Sequence, residues 1–333
     1  MIIKTKARRF IGVSVDAGDR KFSSKRADGE CYHVAVKRIL LAGLVVLLVL
    51  TAAAGAAVGL APFQTSIALR RLALWRGGVR GVVLGPLLAY EKNGCREGAP
   101  CRCVALVHGL GDSAMTWDKI LLDAVPPEGT LMLAVDLPGT DGSPSATAYG
   151  IRAQARVLRS ALQSRCPRWT VAGNSLGGWI AGWLAVDWPD GVERLVLVNA
   201  AGLSDLSGLG LEAVRTLSEP TAEGMKLFSA RAYANPLTVP DRVWPAVASS
   251  IRARPVRAIV AALKAEDLLD ARLKDIEAET VIVWGSADRV LPAEFAERFN
   301  RGLRGARLKR IPGCGHLPQQ ECPESVRHAL FGS

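Results

Sequence analysis

The segment Gly173–Gly178, with the sequence GNSLGG, constrains the fold of this chain more than any other feature. An apolar run precedes it and a helical pattern follows it, so Ser175 falls on a strand-to-helix turn. Such a turn is strained and projects the serine hydroxyl, and small residues two positions before and after the serine let strand and helix approach closely. A purely structural glycine-rich turn is the alternative, but the strand and helix on either side favour a nucleophilic serine.

Short apolar runs alternate with helical patterns along most of the chain after residue 80. Several runs are uniformly apolar, which is typical of a parallel sheet covered by helices on both faces. Residues 204–275 lack such runs and contain five prolines, so we expect an inserted helical cap there. The predicted strands are Val82–Leu84, Leu87–Glu91, Val104–Val107, Leu131–Val135, Thr170–Ala172, Leu195–Val198, Val281–Trp284 and Arg307–Ile311.

The net charge of +11 is concentrated at the N terminus. Residues 1–38 contain ten Lys or Arg and four Asp or Glu, and so carry +6 of that charge. Residues 39–61 follow with no charged residue and one polar residue, Thr51. A helix of that length is roughly 34 Å long, enough to cross a hydrocarbon core of about 30 Å. The sequence therefore predicts a membrane partner, whereas nucleic-acid binding would need a basic face on the folded domain.

The apolar segment is open to two interpretations. Residues 39–50 resemble the apolar region of a cleavable signal, and residues 52–57 offer small residues for cleavage. The run continues to Ala61, however, which favours an uncleaved anchor. The basic residues before it predict a catalytic part outside the cytoplasm, periplasmic or extracellular, or secreted if the segment is cleaved.

A serine nucleophile needs a general base and an acid that fixes the tautomer of the base. Of the four histidines, His33 precedes the apolar segment, His328 lies in a helical stretch and His108 follows a strand directly. His316 remains, in a loop after the last predicted strand. Asp288 follows the preceding strand and gives the order Ser, Asp, His, while Asp205 is the competing acid.

The developing negative charge of an acyl-transfer reaction needs backbone N–H donors. Leu176 directly follows the nucleophile, and Leu110 lies in the loop after the strand that ends at Val107. We expect these two amides to form the oxyanion hole. We expect Gly109, Asn174 and Trp179 near the substrate, although Trp179 with Trp183 also fits helix packing.

Together these features resemble the α/β-hydrolase superfamily over roughly residues 80–333. The resemblance rests on His108-Gly109, the DLPG segment 136–139, the Ser175 turn and the loops of Asp288 and His316. It implies an α/β-hydrolase fold: a mostly parallel sheet of about eight strands with helices on both faces and a helical cap. The apolar segment 39–61 adds a transmembrane or signal helix in front of that fold. It implies a covalent intermediate and neither metal nor organic cofactor.

Within that superfamily, the GNSLGG turn after an apolar segment looks like bacterial membrane-associated lipases and monoacylglycerol-lipase-like hydrolases. We therefore expect cleavage of carboxylic esters, of lipids or acylglycerols, by an acyl-enzyme route. The turn is also similar to that of meta-cleavage C–C bond hydrolases, which are the alternative, and a non-catalytic binding module is a further one. Apolar cap residues fit either an acyl pocket or the core of the cap: Leu206, Leu209, Leu211, Leu217, Leu227, Phe228 and Trp244.

Six cysteines follow the apolar segment, and an even count outside the cytosol permits disulfides. In the sheet order of the resembling family, Cys103 and Cys166 lie at the same end of neighbouring strands. Bridges Cys95–Cys101 and Cys314–Cys322 are also compatible with the sequence, and free thiols are the alternative.

The predicted organisation is a basic leader 1–38, apolar segment 39–61, amphipathic or linker helix 62–80, hydrolase core 81–203, cap 204–275 and hydrolase core 276–333.

Overall fold

The computed structural model describes residues 40, 43–47, 49, 51, 55, 59, 61–123, 128–205 and 208–332. The predicted leader and most of the predicted membrane segment lie outside these residues. None of the helices within the described ranges has the length and apolar character needed to cross a membrane. The chain divides into two compact units, Met1–Ala61 and Pro62–Ser333.

The second unit is built on one eight-stranded sheet of order β1-β2-β4-β3-β5-β6-β7-β8. The first two strands pair antiparallel, β2 also pairs antiparallel with β4, and the other pairs are parallel. The predicted α/β-hydrolase sheet is confirmed, because all eight predicted strands are present. Their bounds are β1 Arg80–Leu84, β2 Leu87–Asn93, β3 Arg102–Val107, β4 Thr130–Asp136, β5 Trp169–Asn174, β6 Val192–Val198, β7 Glu279–Gly285 and β8 Arg307–Ile311.

Helices cover both faces of this sheet, as uniformly apolar strands require. Strands β3, β4 and β5 are buried along nearly their whole length, and alternate residues enter two separate apolar clusters. The helices are α1 Pro62–Arg76, α2 Asp118–Asp123, α3 Ile151–Leu162, α4 Leu176–Asp187, α5 Leu209–Ser218, α6 Ala222–Ala232, α7 Trp244–Arg252, α8 Val256–Ala261, α9 Glu294–Gly302, α10 Pro318–Glu321 and α11 Pro323–Phe331.

Helices α5 to α8 lie between β6 and β7, in the region where the sequence predicts a cap. A third apolar cluster belongs to them, formed by Leu217, Met225, Trp244, Ala248 and Val256. This cluster is separate from the two that cover the sheet, so the cap has a core of its own.

Helix α1 lies in the stretch where the sequence predicts an amphipathic or linker helix. Leu74 is buried against the body of the domain, while Leu69, Leu72 and Trp75 are exposed. Apolar side chains therefore occupy both faces of α1. The periodicity of its sequence cannot show which face packs on the protein.

Three disulfides connect the six described cysteines. Cys103 at the start of β3 joins Cys166 just before β5, with Cα atoms 6.5 Å apart. The other bridges are Cys95–Cys101 and Cys314–Cys322, with Cα atoms 5.5 and 6.3 Å apart. All three pairings considered from the sequence are present, because each joins chain segments that the sheet or a tight loop already brings together.

The bridge between neighbouring strands should stabilise the domain more than the short bridge before β3. Loop-closure entropy grows with the length of the closed loop, and the sequence separations are 63 residues for Cys103–Cys166 and 6 for Cys95–Cys101. We expect the double variant Cys103→Ala/Cys166→Ala to lose about 4 kcal/mol of unfolding free energy, and Cys95→Ala/Cys101→Ala about 2 kcal/mol. Chemical denaturation of both variants measures this difference. Equal losses would contradict the loop-closure explanation.

Candidate active site

Ser175 occupies a strained turn between β5 and α4. Its backbone angles are φ 54° and ψ −118°, outside the regions that a residue with a side chain normally adopts. Its N–H donates to the carbonyl oxygen of Val198 at 3.1 Å, and its carbonyl oxygen accepts from Gly178 at 3.0 Å. These bonds hold the turn at the carboxyl edge of the sheet.

The glycines on either side make this turn possible by close approach. A Cβ atom on Gly173 would lie 2.2 Å from the carbonyl oxygen of Gly177. A Cβ atom on Gly177 would lie 2.4 Å from the carbonyl oxygen of Val107, at the end of β3. Any other residue at either position would push helix and strand apart, so the spacing of the motif follows from packing.

His316 and Asp288 form a buried pair. The imidazole Nδ1 lies 2.9 Å from Asp288 Oδ2, and the side chains are only 4% and 1% exposed. Because a carboxylate can only accept, Nδ1 carries the proton and Nε2 is left as a proton acceptor. That is the tautomer that a general base needs.

Four donors hold the carboxylate of Asp288 in place. The Val290 and Leu291 N–H groups donate to Oδ1, and His316 and Asn199 donate to Oδ2. Burial acts to raise the pKa of Asp288, but His316 and these hydrogen bonds outweigh burial and place the pKa below its usual range. Asp288 is therefore a stable anion beside the imidazole.

The competing acid, Asp205, does not take part in this arrangement. Its side chain is 84% exposed and pairs with Arg298. Asn199, which the sequence analysis did not single out, instead joins the end of β6 to the loop that carries Asp288. Its amide nitrogen donates to Asp288, and its Oδ1 accepts from the Gly285 N–H at 3.0 Å. Its place directly after β6, at the edge where Asp288 follows β7, was the available signal.

The loop of His316 is braced from several sides. The Cys314–Cys322 bridge closes it, and the Glu321 carboxylate accepts from the N–H groups of Gly315 and Ala234. Asn174, predicted near the substrate, donates from its side-chain nitrogen to the His316 carbonyl oxygen at 3.0 Å. Asn174 thus lines the cavity and also connects the serine turn to the histidine loop.

The proposed oxyanion donors face the same space. Leu110, Leu176 and Gly109 line one cavity with Ser175 and His316, and a Cβ atom on Gly109 would lie 3.3 Å from Ser175 Cβ. Within the described ranges, the N–H groups of Leu110 and Leu176 donate to no protein acceptor. Both amides are therefore available to a developing negative charge.

His108 orients the peptide unit that carries the Leu110 N–H. Its Nε2 accepts from the Leu137 N–H at 3.1 Å, so the proton is on Nδ1, which donates to the Gly109 carbonyl oxygen at 2.9 Å. Burial lowers the pKa of His108 and keeps the ring neutral. Because this carbonyl belongs to the Gly109–Leu110 peptide, fixing it also fixes the direction of the Leu110 N–H.

The cap reaches the same loop through Arg254. Its guanidinium donates to the Gly111 carbonyl oxygen and to Asp141 Oδ1, the latter at 2.9 Å. The arginine therefore ties the segment between α7 and α8 to the loop that carries the Leu110 N–H.

The cavity has a volume of about 350 Å³ and a mostly apolar lining. Trp179 lines it and donates from its indole nitrogen to the Asp267 carbonyl oxygen, so it contributes an apolar ring face that is fixed in position. Of the apolar cap residues considered from the sequence, Leu217, Phe228 and Trp244 line the cavity and Leu211 and Leu227 are exposed. No cluster of three or more His, Cys, Asp or Glu side chains within the described ranges is arranged to hold a metal ion.

A family model described as the alpha/beta hydrolase family matches residues 104–329. The chain belongs to this family. A similar protein is the 2-hydroxy-6-oxononadienedioate/2-hydroxy-6-oxononatrienedioate hydrolase of Escherichia coli O139:H28 (strain E24377A / ETEC). The two sequences are 29% identical over 264 residues, and the alignment covers 74% of this chain and 91% of the Escherichia coli protein.

Solved structures similar to this hydrolase include lipid-cleaving enzymes. A membrane phospholipase A, described as a bacterial virulence factor, matches with a TM-score of 0.69 and 26% identity over 88% of this chain and 96% of that one. A putative lipase from Acinetobacter baumannii AYE matches with a TM-score of 0.66 and 22% identity, over 79% and 92% of the chains. At 22% identity the second likeness shows the fold alone.

Asp136 beside the oxyanion loop should make the stability of the hydrolase depend on pH. Burial raises its pKa to about 7, although the Ala114 N–H donates to it. The folded state then keeps a proton that the unfolded state releases, so this residue's contribution to stability falls as the pH rises from about 4 to about 7. We expect Asp136→Asn to be more stable than the original chain at pH 8 and to lose that advantage near pH 4.

Asp141→Asn is the control of opposite sign. Burial acts to raise the pKa of Asp141, but Arg254 outweighs burial and lowers that pKa. The ion pair with Arg254 therefore stabilises the folded state at pH values above the usual pKa of an aspartate. This variant should be less stable than the original chain at pH 8 and lose that deficit as the pH falls. Urea unfolding at several pH values measures both differences; parallel curves for Asp136→Asn and the original chain would contradict the assignment.

Proposed function

We propose that this hydrolase cleaves carboxylic esters, of lipids or acylglycerols, through an acyl-enzyme intermediate. The observation that carries the proposal is the apolar cavity that Ser175, His316 and two unpaired backbone N–H groups line together. An apolar chain fits this lining, and the ester carbonyl would lie where nucleophile, base and oxyanion donors meet.

In the first half-reaction Ser175 Oγ attacks the ester carbonyl carbon while His316 Nε2 takes the hydroxyl proton. The oxygen becomes negative and accepts from the Leu110 and Leu176 N–H groups. When the carbon–oxygen bond to the alcohol breaks, His316 returns the proton to the leaving alkoxide, and the acyl group stays on Ser175.

In the second half-reaction a water molecule repeats the attack. His316 removes a proton from the water, and the same two amides hold the oxyanion. The bond between the acyl carbon and Ser175 Oγ then breaks, and Oγ takes the proton back from His316. Asp288 keeps Nδ1 protonated throughout and stabilises the imidazolium that forms twice in each cycle. The products are one carboxylic acid and one alcohol.

The charges in the cavity favour an uncharged substrate. The Lys and Arg side chains that line the cavity within the described ranges are Arg70 and Arg254. Arg70 pairs with Asp118 and Arg254 with Asp141, so each already has a counter-ion. A dicarboxylate would have to break such a pair to obtain a partner, whereas a neutral ester would not.

Carbon–carbon bond cleavage is the second candidate function. It is supported by the Escherichia coli relative, whose name describes a dienedioate hydrolase and which matches over 91% of its own length. The same serine, histidine and aspartate would serve it. Substrate choice, rather than the presence of these residues, therefore separates the two candidates.

We also propose that residues 39–61 anchor the enzyme in a membrane, with the catalytic unit outside the cytoplasm, or direct its secretion if they are cleaved. The length of the apolar run and the basic residues before it support this. The three disulfides fit an oxidising compartment. The solved structures similar to this chain include a protein described as a membrane phospholipase A, which matches over 88% of the chain.

A fluorophosphonate probe tests nucleophile and location together. Cells that express the full chain are separated into membrane and soluble fractions, and the labelled band is followed after an alkaline wash. A washed membrane band supports the anchor. Label only in the culture medium supports cleavage, and label only in the cytosol contradicts both.

Replacing the nucleophile should abolish ester hydrolysis without unfolding the protein. We expect Ser175→Ala to lower kcat for p-nitrophenyl butanoate by roughly 10⁴- to 10⁶-fold with an unchanged melting temperature. Ser229→Ala is the matched control, because Ser229 also lines the cavity and no proposed step uses it.

Ring-cleavage dienones assayed with the same variants decide between the two candidates. Ester turnover that depends on Ser175, with no turnover of dienones, supports the esterase. Turnover of dienones alone would establish the second candidate, and ester turnover by Ser175→Ala equal to that of the original chain would contradict the assignment of the nucleophile.

A further inference from the structure

Helix α1 supplies a wall of the catalytic cavity although it precedes the predicted hydrolase core. Phe63, Ser66, Ile67 and Arg70 all line the same cavity as Ser175 and His316. Their spacing, i, i+3, i+4 and i+7, places them on one face of the helix. No step of the proposed reaction uses them, so their presence in the cavity calls for another explanation.

The cavity face of α1 is fixed to the body of the domain. Arg70 Nε donates to Asp118 Oδ2 at 2.5 Å, and a second guanidinium nitrogen donates to the Met115 carbonyl oxygen at 2.7 Å. Gln320 donates to the other oxygen of the same carboxylate, and Leu74, one turn after Arg70, is buried. The first two turns of α1 are therefore a built part of the cavity wall.

The chemistry of this wall suits an apolar chain. Phe63 and Ile67 are half-buried side chains that would gain contacts from a hydrocarbon, and the Arg70 charge is already engaged by Asp118. The opposite face of the helix is also apolar but carries no cavity residue: Leu69 is 58% exposed and does not line the cavity. The helix thus offers two similar side chains, Ile67 and Leu69, of which one can touch a substrate in the cavity.

We propose that the first turns of α1 contact an apolar chain of the ester and that Phe63 and Ile67 set the chain length that the enzyme prefers. This inference rests on the proposed ester hydrolysis. Because α1 begins at Pro62, directly after the apolar segment 39–61, the element that meets the substrate chain is also the first element after the predicted membrane anchor. Selection of the substrate and attachment to the membrane are then properties of one continuous stretch of chain.

Opposite changes of volume at one position test the proposal. The full-length protein is assayed with p-nitrophenyl butanoate and dodecanoate at one detergent concentration, and the ratio of the two kcat/KM values is measured. Ile67→Phe narrows the cavity and should lower the dodecanoate-to-butanoate ratio, roughly fourfold for each methylene group that loses its packing. Ile67→Ala and Phe63→Ala widen the cavity and should raise the ratio.

Leu69→Phe and Leu69→Ala are the matched controls, since they make the same changes on the outer face of the same helix. Their ratios should stay within twofold of that of the original chain. A second series, with butanoyl esters of short and long alcohols, shows whether the chain that meets α1 belongs to the acyl or the alcohol part. A changed ratio in either series for Ile67 or Phe63 variants, and not for Leu69 variants, supports the proposal.

Equal ratios for Ile67 and Leu69 variants in both series would overturn it. Ile67→Ala keeps the test valid if Ile67→Phe does not fold, and melting temperatures identify such a case. A chain that hydrolyses no ester would instead refute the proposed function. The ratio is measured on active enzyme, so the two failures give different results.

Discussion

The backbone conformation of Ser175 is the constraint on which the rest of the site depends. A non-glycine residue with positive φ costs of order 1–3 kcal/mol and persists only where surrounding contacts enforce it. Here the enforcing contacts are close backbone approaches: Gly173 meets Gly177, and Gly177 meets the end of β3. The strand order that places β5 between β3 and β6 therefore sets the direction in which the hydroxyl points.

Around this turn, the protein fixes charge by burial and directed hydrogen bonds. Asp288 stays ionised because four donors surround it, whereas His108 stays neutral because burial lowers its pKa and its Nε2 already accepts from the Leu137 N–H. The same low-polarity surroundings thus produce an anion beside the base and a neutral ring beside the oxyanion loop. Each state follows from the burial and the partners of the group rather than from its residue type.

The cavity wall comes from segments far apart in the sequence. The sheet edge carries the reacting groups, the cap contributes Leu217 and Trp244, and α1 contributes Phe63 and Ile67. Arg254 and Arg70 attach cap and helix to the body through paired carboxylates. Under the proposed function, this division would let the cap and the N-terminal helix select the substrate while the sheet edge supplies the reacting groups.

The sequence by itself determined the eight strands, the serine turn and the order Ser175, Asp288, His316, because those features depend on local periodicity and on glycine spacing. It left open Asp205 as the acid, the pairing of the cysteines and the face of α1 that packs on the domain. Only the tertiary structure decided these, since Asp205 pairs with Arg298 while Asp288 pairs with His316, and the bridges depend on which segments the fold brings together. Glu321 and the cavity face of α1 act through partners that are distant along the chain, and no local pattern in a single sequence records such contacts. Asn199 also acts through a distant partner, and its place directly after β6 was the one sequence signal for it.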